Sequence, residues 1–140
     1  MLTIAIVEDD LEYQKQLQKY IEQYGKEHEL QYKITVFQNG LNFLEDYKGG
    51  GDLIFMDIAM PHMDGMETAA ELRKRGDETC LIFITSMAQY ALKGYEVSAF
   101  DFLVKPLVYE LFCIKFEKAL SYIDKKEAYY IKIPNGAKKV

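Results

Sequence analysis

A doubly wound α/β domain with a central five-stranded parallel sheet is the fold this sequence predicts, and two observations predict it. Five short apolar runs, "LTIAIV" (2–7), "YKITVF" (32–37), "DLIFMD" (52–57), "CLIFIT" (80–85) and "DFLV" (101–104), have strand length. The segments between them carry apolar residues at helical spacing. Near-continuous apolarity within a strand implies burial on both faces, as in a parallel sheet. Strict alternation of strand and helix places helices on both faces, and right-handed crossovers leave few other topologies.

Each element follows in order. After the first run, Leu17, Ile21 and Tyr24 mark one face of a helix; after the second, Leu41 and Leu44 do the same. The third run ends in "MDIAMPHMDG", where Pro61 fixes a loop backbone and Asp64 with Gly65 suits a capped turn into a helix bearing Met66, Ala69 and Ala70. A short helical segment from Ala88 to Tyr95 follows the fourth run. Phe112, Phe116, Ala119, Leu120 and Ile123 form the buried face of a closing helix after the fifth. No internal repeat, low-complexity tract or interdomain linker precedes about residue 126.

Composition narrows the function. A chain of 140 residues with 49% hydrophobic content buries one sizeable core, so one domain is expected. The net charge of −5 lacks the basic balance of a free-standing nucleic-acid binder. Apolar stretches fall far short of the roughly 20 residues that span a bilayer, and Met1 to Val7 has neither a basic n-region nor a cleavage site. A cytoplasmic location without membrane contact is therefore expected. Cys80 and Cys113 lack metal-ligand spacing and read as inert core thiols.

In a doubly wound sheet, functional groups collect outside the carboxyl ends of the strands. Glu8, Asp9 and Asp10 follow the first strand, Asp57 ends the third, Thr85 and Ser86 end the fourth, and Lys105 follows the fifth. One rim thus gathers carboxylates, hydroxyls and an ammonium. Two carboxylates about 4 Å apart repel by roughly 4 kcal/mol at an effective dielectric near 20, so Glu8, Asp9 and Asp57 call for a counter-ion. Mg²⁺ takes oxygen ligands and commonly bridges carboxylates to a phosphoryl group. With an ammonium and a hydroxyl holding the other phosphoryl oxygens, Asp57 becomes a nucleophile that forms an acyl phosphate. His62 reads as an exposed loop histidine.

These residues resemble the receiver domains of two-component response regulators, over residues 1 to about 124. The resemblance implies a flavodoxin-like, CheY-like receiver in which Glu8 and Asp9 match the acidic pair and Asp57 the phosphoacceptor. Thr85 matches the hydroxyl residue that binds the phosphoryl group, and Lys105 the lysine of a "KP" whose peptide bond is usually cis. Ala59 would give the metal its backbone carbonyl. Asp10 falls at a variable position and reads as a first-turn residue complementing the helix dipole. Implied partners and cofactors are a sensor histidine kinase and Mg²⁺. The chain would be a phosphoacceptor with Mg-dependent self-phosphorylation and slow autodephosphorylation, and not an enzyme.

"YALKGYEVSAFDFLVKP" (90–106) also resembles receivers attached to LytTR-type DNA-binding domains, and "YYIKIPNGAKKV" resembles the first strand and hairpin of such a domain. The expected division is a receiver at 1–126, then a linker and truncated start of a LytTR-type domain at 127–140. That tail is expected to form no stable unit by itself. DNA contact would come only through the missing domain, and phosphorylation would drive homodimerisation. Tyr90, Leu92 and Tyr95 lie near the face expected to dimerise, although the same spacing also suits core contacts. Phe102 stands where the family usually has a tyrosine, so any coupling from Thr85 to it acts by packing alone. A flavodoxin-like FMN site conflicts with "EDD" in place of a phosphate loop, and a haloacid-dehalogenase-type phosphatase conflicts with Ala59. A non-phosphorylated pseudo-receiver serving as an interaction module is the remaining alternative.

Overall fold

Alternate residues of the strands at 2–7, 53–57 and 80–85 feed two separate cores, which is why those apolar runs are nearly unbroken. Ile4, Ile6, Leu53, Phe55, Ile82, Ile84 and Leu103 face one helical layer, and Ala5, Val7, Ile54, Met56, Leu81 and Phe83 face the other. The computed structural model describes residues 1–132. Element order is β1 (Leu2–Val7), α1 (Leu11–His28), β2 (Tyr32–Phe37), α2 (Gly40–Asp46), β3 (Leu53–Asp57), α3 (Gly65–Lys74), β4 (Cys80–Thr85), a 3-10 helix (Ala88–Val97), β5 (Asp101–Val104) and α4 (Tyr109–Lys132). The sheet runs β2-β1-β3-β4-β5, with every pairing parallel. The predicted doubly wound five-stranded fold is the one observed.

The layer formed by α1 and α4 is aromatic. Phe112 and Phe116 are fully buried and stack at 5.0 Å; Phe55 lies 5.9 Å from Phe112, and Tyr24 meets Phe116 edge-on at 5.0 Å. Each fully buried phenylalanine contributes about 1.5–3 kcal/mol of transfer free energy. On the opposite face, Arg73 of α3 donates to the carbonyls of Val97, Asp77, Thr79 and Ser98. It thereby pins the end of the 3-10 helix to α3.

Two elements differ from expectation. The segment after β4 is 3-10 rather than α-helical and runs to Val97; Met87, at its start, makes no side-chain capping bond. The closing helix runs to Lys132, so the expected strand-like start at Tyr129 and Tyr130 is helical backbone. "DKKEA" contains good helix formers and no helix breaker precedes Pro134. A strand there would also need partners. The expected Asn135-Gly136 hairpin lies outside the described residues.

The turn into α3 positions the end of β3. Asp64 caps α3 by accepting from Glu67 N at 2.8 Å, and the Glu67 carboxylate accepts from Asp64 N at 3.1 Å, which completes a capping box. Gly65 N donates to the Ile58 carbonyl at 2.8 Å. A Cβ on Gly65 would lie 2.2 Å from the Asp57 carbonyl oxygen. Gly65→Ala is therefore expected to cost about 1–3 kcal/mol through overpacking at the strand end. Urea unfolding measures this, and an unchanged midpoint would show that the loop retreats without strain.

Candidate functional site

Four strand ends bring their side chains to one rim. Glu8 directly follows β1 and its N–H donates to the Phe37 carbonyl at 3.0 Å. Asp57 closes β3 beside Ile84 of β4. Lys105 directly follows β5, and its N–H donates to the carbonyl of Thr85 at 2.8 Å. The Lys105–Pro106 peptide bond is cis.

Glu8, Asp9 and Asp57 each present a carboxylate oxygen, and these atoms lie within 4.8 Å of one another. Glu8 and Asp57 are buried, at 0% and 2% exposure, whereas Asp9 faces solvent. Lys105 Nζ lies 2.9 Å from Glu8 Oε1 and 3.4 Å from Asp57 Oδ1. Apart from that ion pair, no donor is aligned on the buried Glu8 Oε1. One ammonium thus serves two buried carboxylates and a third close by.

The charge deficit appears in the proton affinities. Burial first, and then the Glu8 charge, push the Asp57 carboxyl up from 3.8 to about 8, against the opposing pull of Lys105. Burial lowers the Lys105 ammonium, but its bond to Glu8 and the Asp57 and Glu8 charges outweigh this and leave it above its usual value. An all-oxygen donor set short of positive charge suits a hard divalent cation, and the three-carboxylate cluster is consistent with Mg²⁺ binding.

The remaining expected residues are placed as follows. Thr85 is buried at the end of β4, but its hydroxyl is engaged with Met87: it accepts from Met87 N at 3.0 Å and donates to Met87 O at 3.3 Å. Ala59 is exposed in the loop after β3. His62 is exposed in the same loop with a left-handed φ of 68°, outside the three-carboxylate cluster. Asp10 proves to be the N-cap of α1 rather than a first-turn residue: its side chain accepts from Glu12 N at 2.9 Å, and its own N–H donates to Glu8 Oε2 at 3.1 Å. Phe102 is half-buried on β5, with Lys115 Nζ 5.1 Å from its ring centroid. Tyr90, Leu92 and Tyr95 are exposed, Leu92 and Tyr95 by nearly four-fifths, so the reading of them as core contacts fails.

Two contributors escaped the sequence reading. Gln14 is buried and donates through Nε2 to the Glu8 carbonyl at 2.6 Å. The Tyr13 ring centroid lies 4.1 Å from Lys105 Nζ. Both stand in the first turns of α1, where side chains lean back toward the helix N-terminus and so toward the end of β1. That lean was the available signal.

The raised Asp57 affinity gives stability a pH dependence. Below about pH 4 the carboxyl is protonated in both the folded and unfolded states. Between there and about pH 8 the unfolded chain releases the proton while the folded chain keeps it, so folded stability falls as pH rises. Thermal melts without divalent cation are expected to show this decline in the wild type and a flatter profile in Asp57→Asn. Equal slopes would mean that Asp57 ionises normally.

Residues 4–115 match the response regulator receiver domain. The chain is 31% identical over 106 residues to the transcriptional regulatory protein YpdB of Escherichia coli K12 and 32% identical over 106 residues to the sensory transduction protein LytT of Bacillus anthracis. These matches cover 75% and 76% of this chain but only 42% of either relative, so the chain spans less than half their length. Among solved structures, the response regulatory domain of MrkE from Klebsiella pneumoniae superposes with a TM-score of 0.78 at 26% identity, covering 89% of this chain and 99% of that one. TrrA from Thermotoga maritima, determined in complex with Mg²⁺-BeF, superposes with a TM-score of 0.72 at 27% identity, covering 85% of this chain and 99% of that one. Fold, strand-end chemistry and sequence agree, and the chain belongs to the receiver domains of two-component response regulators.

Proposed function

We propose that Asp57 accepts a phosphoryl group from the phosphohistidine of a sensor histidine kinase, and that this switches an attached output domain. The observation that carries this reading is a buried carboxylate sharing its rim with Glu8, Asp9 and a lysine ammonium 3.4 Å away. A carboxylate oxygen of Asp57 attacks phosphorus and forms an O–P bond, while the bond from phosphorus to the donor imidazole nitrogen breaks. The electron pair of that bond leaves with the imidazole.

Mg²⁺ held by Glu8, Asp9, Asp57 and the Ala59 carbonyl would offset the negative charge of the carboxylates and the incoming phosphoryl oxygens. Lys105 neutralises one phosphoryl oxygen. Thr85 turns its hydroxyl from Met87 toward another. Phe102 has no hydroxyl to report that movement, so the switch from Thr85 to Phe102 acts by packing. The same groups allow self-phosphorylation by small donors and slow autodephosphorylation, without turnover of a separate substrate. All the acidic, aspartate, threonine and lysine positions are present, and nothing in the site favours the pseudo-receiver alternative.

Beyond the site, the reading extends to a receiver at 1–126 followed by the start of a LytTR-type DNA-binding domain, in a cytoplasmic transcription regulator. Similarity to LytT and the "YALKGYEVSAFDFLVKP" stretch support it. No helix among the described residues is long and apolar enough to cross a membrane. Homodimerisation is assigned to the face where Tyr90, Leu92, Tyr95, Val104, Leu111 and Ile114 are exposed, because apolar side chains left in water gain from burial.

Incubation with acetyl phosphate and Mg²⁺ is expected to add one phosphoryl mass to the wild type and none to Asp57→Asn, read by intact-mass spectrometry. An equal hydroxylamine-sensitive adduct on Asp57→Asn would refute the assignment of the nucleophile. Lys105→Ala is expected to accept the phosphoryl group yet dimerise less per phosphorylated molecule, as read by sedimentation. Undiminished dimerisation would remove Lys105 from the switch. With beryllofluoride, a wild type that stays monomeric at high concentration would count against the dimer face.

A further inference from the structure

We propose that Tyr13 is a positioning residue for Lys105, its ring holding the ammonium at the rim of the acidic cluster; the target of that ammonium rests on the phosphoacceptor reading of Asp57. Lys105 Nζ lies 4.1 Å from the Tyr13 ring centroid, well inside the roughly 6 Å over which a ring face attracts a cation. The Lys105 side chain is only 11% exposed, so this attraction operates with little competing water.

The ring is fixed by the same helix turn that fixes the acids. Asp10 caps α1 and its N–H bonds Glu8 Oε2, while Gln14, next to Tyr13, bonds the Glu8 carbonyl. Tyr13 therefore keeps its place relative to Glu8. One helical stretch further along, the Tyr20 hydroxyl donates to the Leu107 carbonyl at 3.1 Å, tying the segment that carries Lys105 to the same helix. α1 thus holds both the ammonium and the backbone two residues beyond it.

This matters because the other partners of Lys105 are conditional. Glu8 and Asp57 are the groups that a cation and a phosphoryl group would engage, and either engagement weakens their hold on the ammonium. The Tyr13 ring is bound to neither. It keeps Lys105 aimed at the rim while the carboxylates exchange partners, and it touches no reacting atom itself.

The test compares Tyr13→Phe, which keeps the ring face, with Tyr13→Leu and Tyr13→Met, which fill space without it, all in the full 140-residue chain. The first readout needs no metal: acylation of Lys105 by acetic anhydride, followed by peptide mass spectrometry. Labelling is expected to be slow in wild type and Tyr13→Phe, and roughly five- to thirtyfold faster in the two aliphatic variants, as expected for loss of a largely desolvated cation–π contact. The second is affinity for beryllofluoride with Mg²⁺, expected to fall in the aliphatic variants and to be restored by phenylalanine. Wild-type labelling in the variant of the two that folds, or equal effects of phenylalanine and the aliphatic residues, would overturn the proposal. A wild type that binds no beryllofluoride would instead overturn the phosphoacceptor reading and with it the target of Lys105, whereas the labelling contrast tests the ring by itself.

Discussion

One ammonium facing two buried carboxylates is the constraint on which the rest of this structure depends. Lys105 reaches Glu8 Oε1 at 2.9 Å and Asp57 Oδ1 at 3.4 Å, and its single positive charge cannot balance both acids together with Asp9. Removing charges from water is costly unless each is paired. The fold meets the cost only in part: Asp57 takes up a proton more readily than a free carboxyl, and beyond its ion pair with Lys105, Glu8 Oε1 has no aligned donor. A site left short of positive charge is consistent with binding a divalent cation.

The doubly wound topology creates that constraint and also contains it. Parallel strands deliver the residues after β1, β3, β4 and β5 to the same edge, so acids spread from residue 8 to residue 57 and a lysine at residue 105 converge. Containment comes from the backbone around them. The Lys105 N–H is bonded to the Thr85 carbonyl, and Gly65 packs so closely under Asp57 that a side chain would collide with its carbonyl. These backbone contacts hold the buried Glu8 and Asp57 beside Asp9, with carboxyl oxygens of the three within 4.8 Å of one another, where ionised groups repel.

What was legible in the sequence follows from the range of the interactions involved. The central strand runs were legible because burial on both faces leaves little polar alternation, and the edge run at 32–37 because it alternates, with Lys33 and Thr35 exposed; the strands predicted at 2–7, 32–37, 80–85 and 101–104 match those observed. Convergence of Glu8, Asp9, Asp57 and Lys105 was legible because strand ends in a parallel sheet share an edge. The Asp64 cap was local and therefore readable. The 3-10 character of residues 88–97 was not, since apolar spacing over so short a segment does not separate 3-10 from α-helical turns, and the Arg73 bonds to the Val97 and Ser98 carbonyls come from another helix. Nor was the extent of α4, where resemblance to a strand in a following domain outweighed the helix-forming "DKKEA". Tyr13 was hidden for a similar reason: its contact with Lys105 spans most of the chain, and a tyrosine in a first helical turn carries no chemical signature.

The same geometry connects the site to the exposed apolar face. β5 has only four residues and is held at both ends. At its start Lys115 of α4 bonds Asp101 Oδ1 at 2.7 Å and lies over the Phe102 ring; at its close Lys105 is held by the acids. Arg73 grips the C-terminal turn of the 3-10 helix through the Val97 and Ser98 carbonyls. Its start at Met87 relies on the Thr85 hydroxyl, with no side-chain cap of its own. On the proposed reading, a Thr85 hydroxyl that turns to a phosphoryl oxygen gives up its bond to Met87 N and frees the less secured end of that helix. Tyr90, Leu92 and Tyr95 ride on the freed segment, already exposed to water. On that proposal, one hydroxyl would both meet the phosphoryl group and restrain, through its bonds to Met87, the surface assigned to respond.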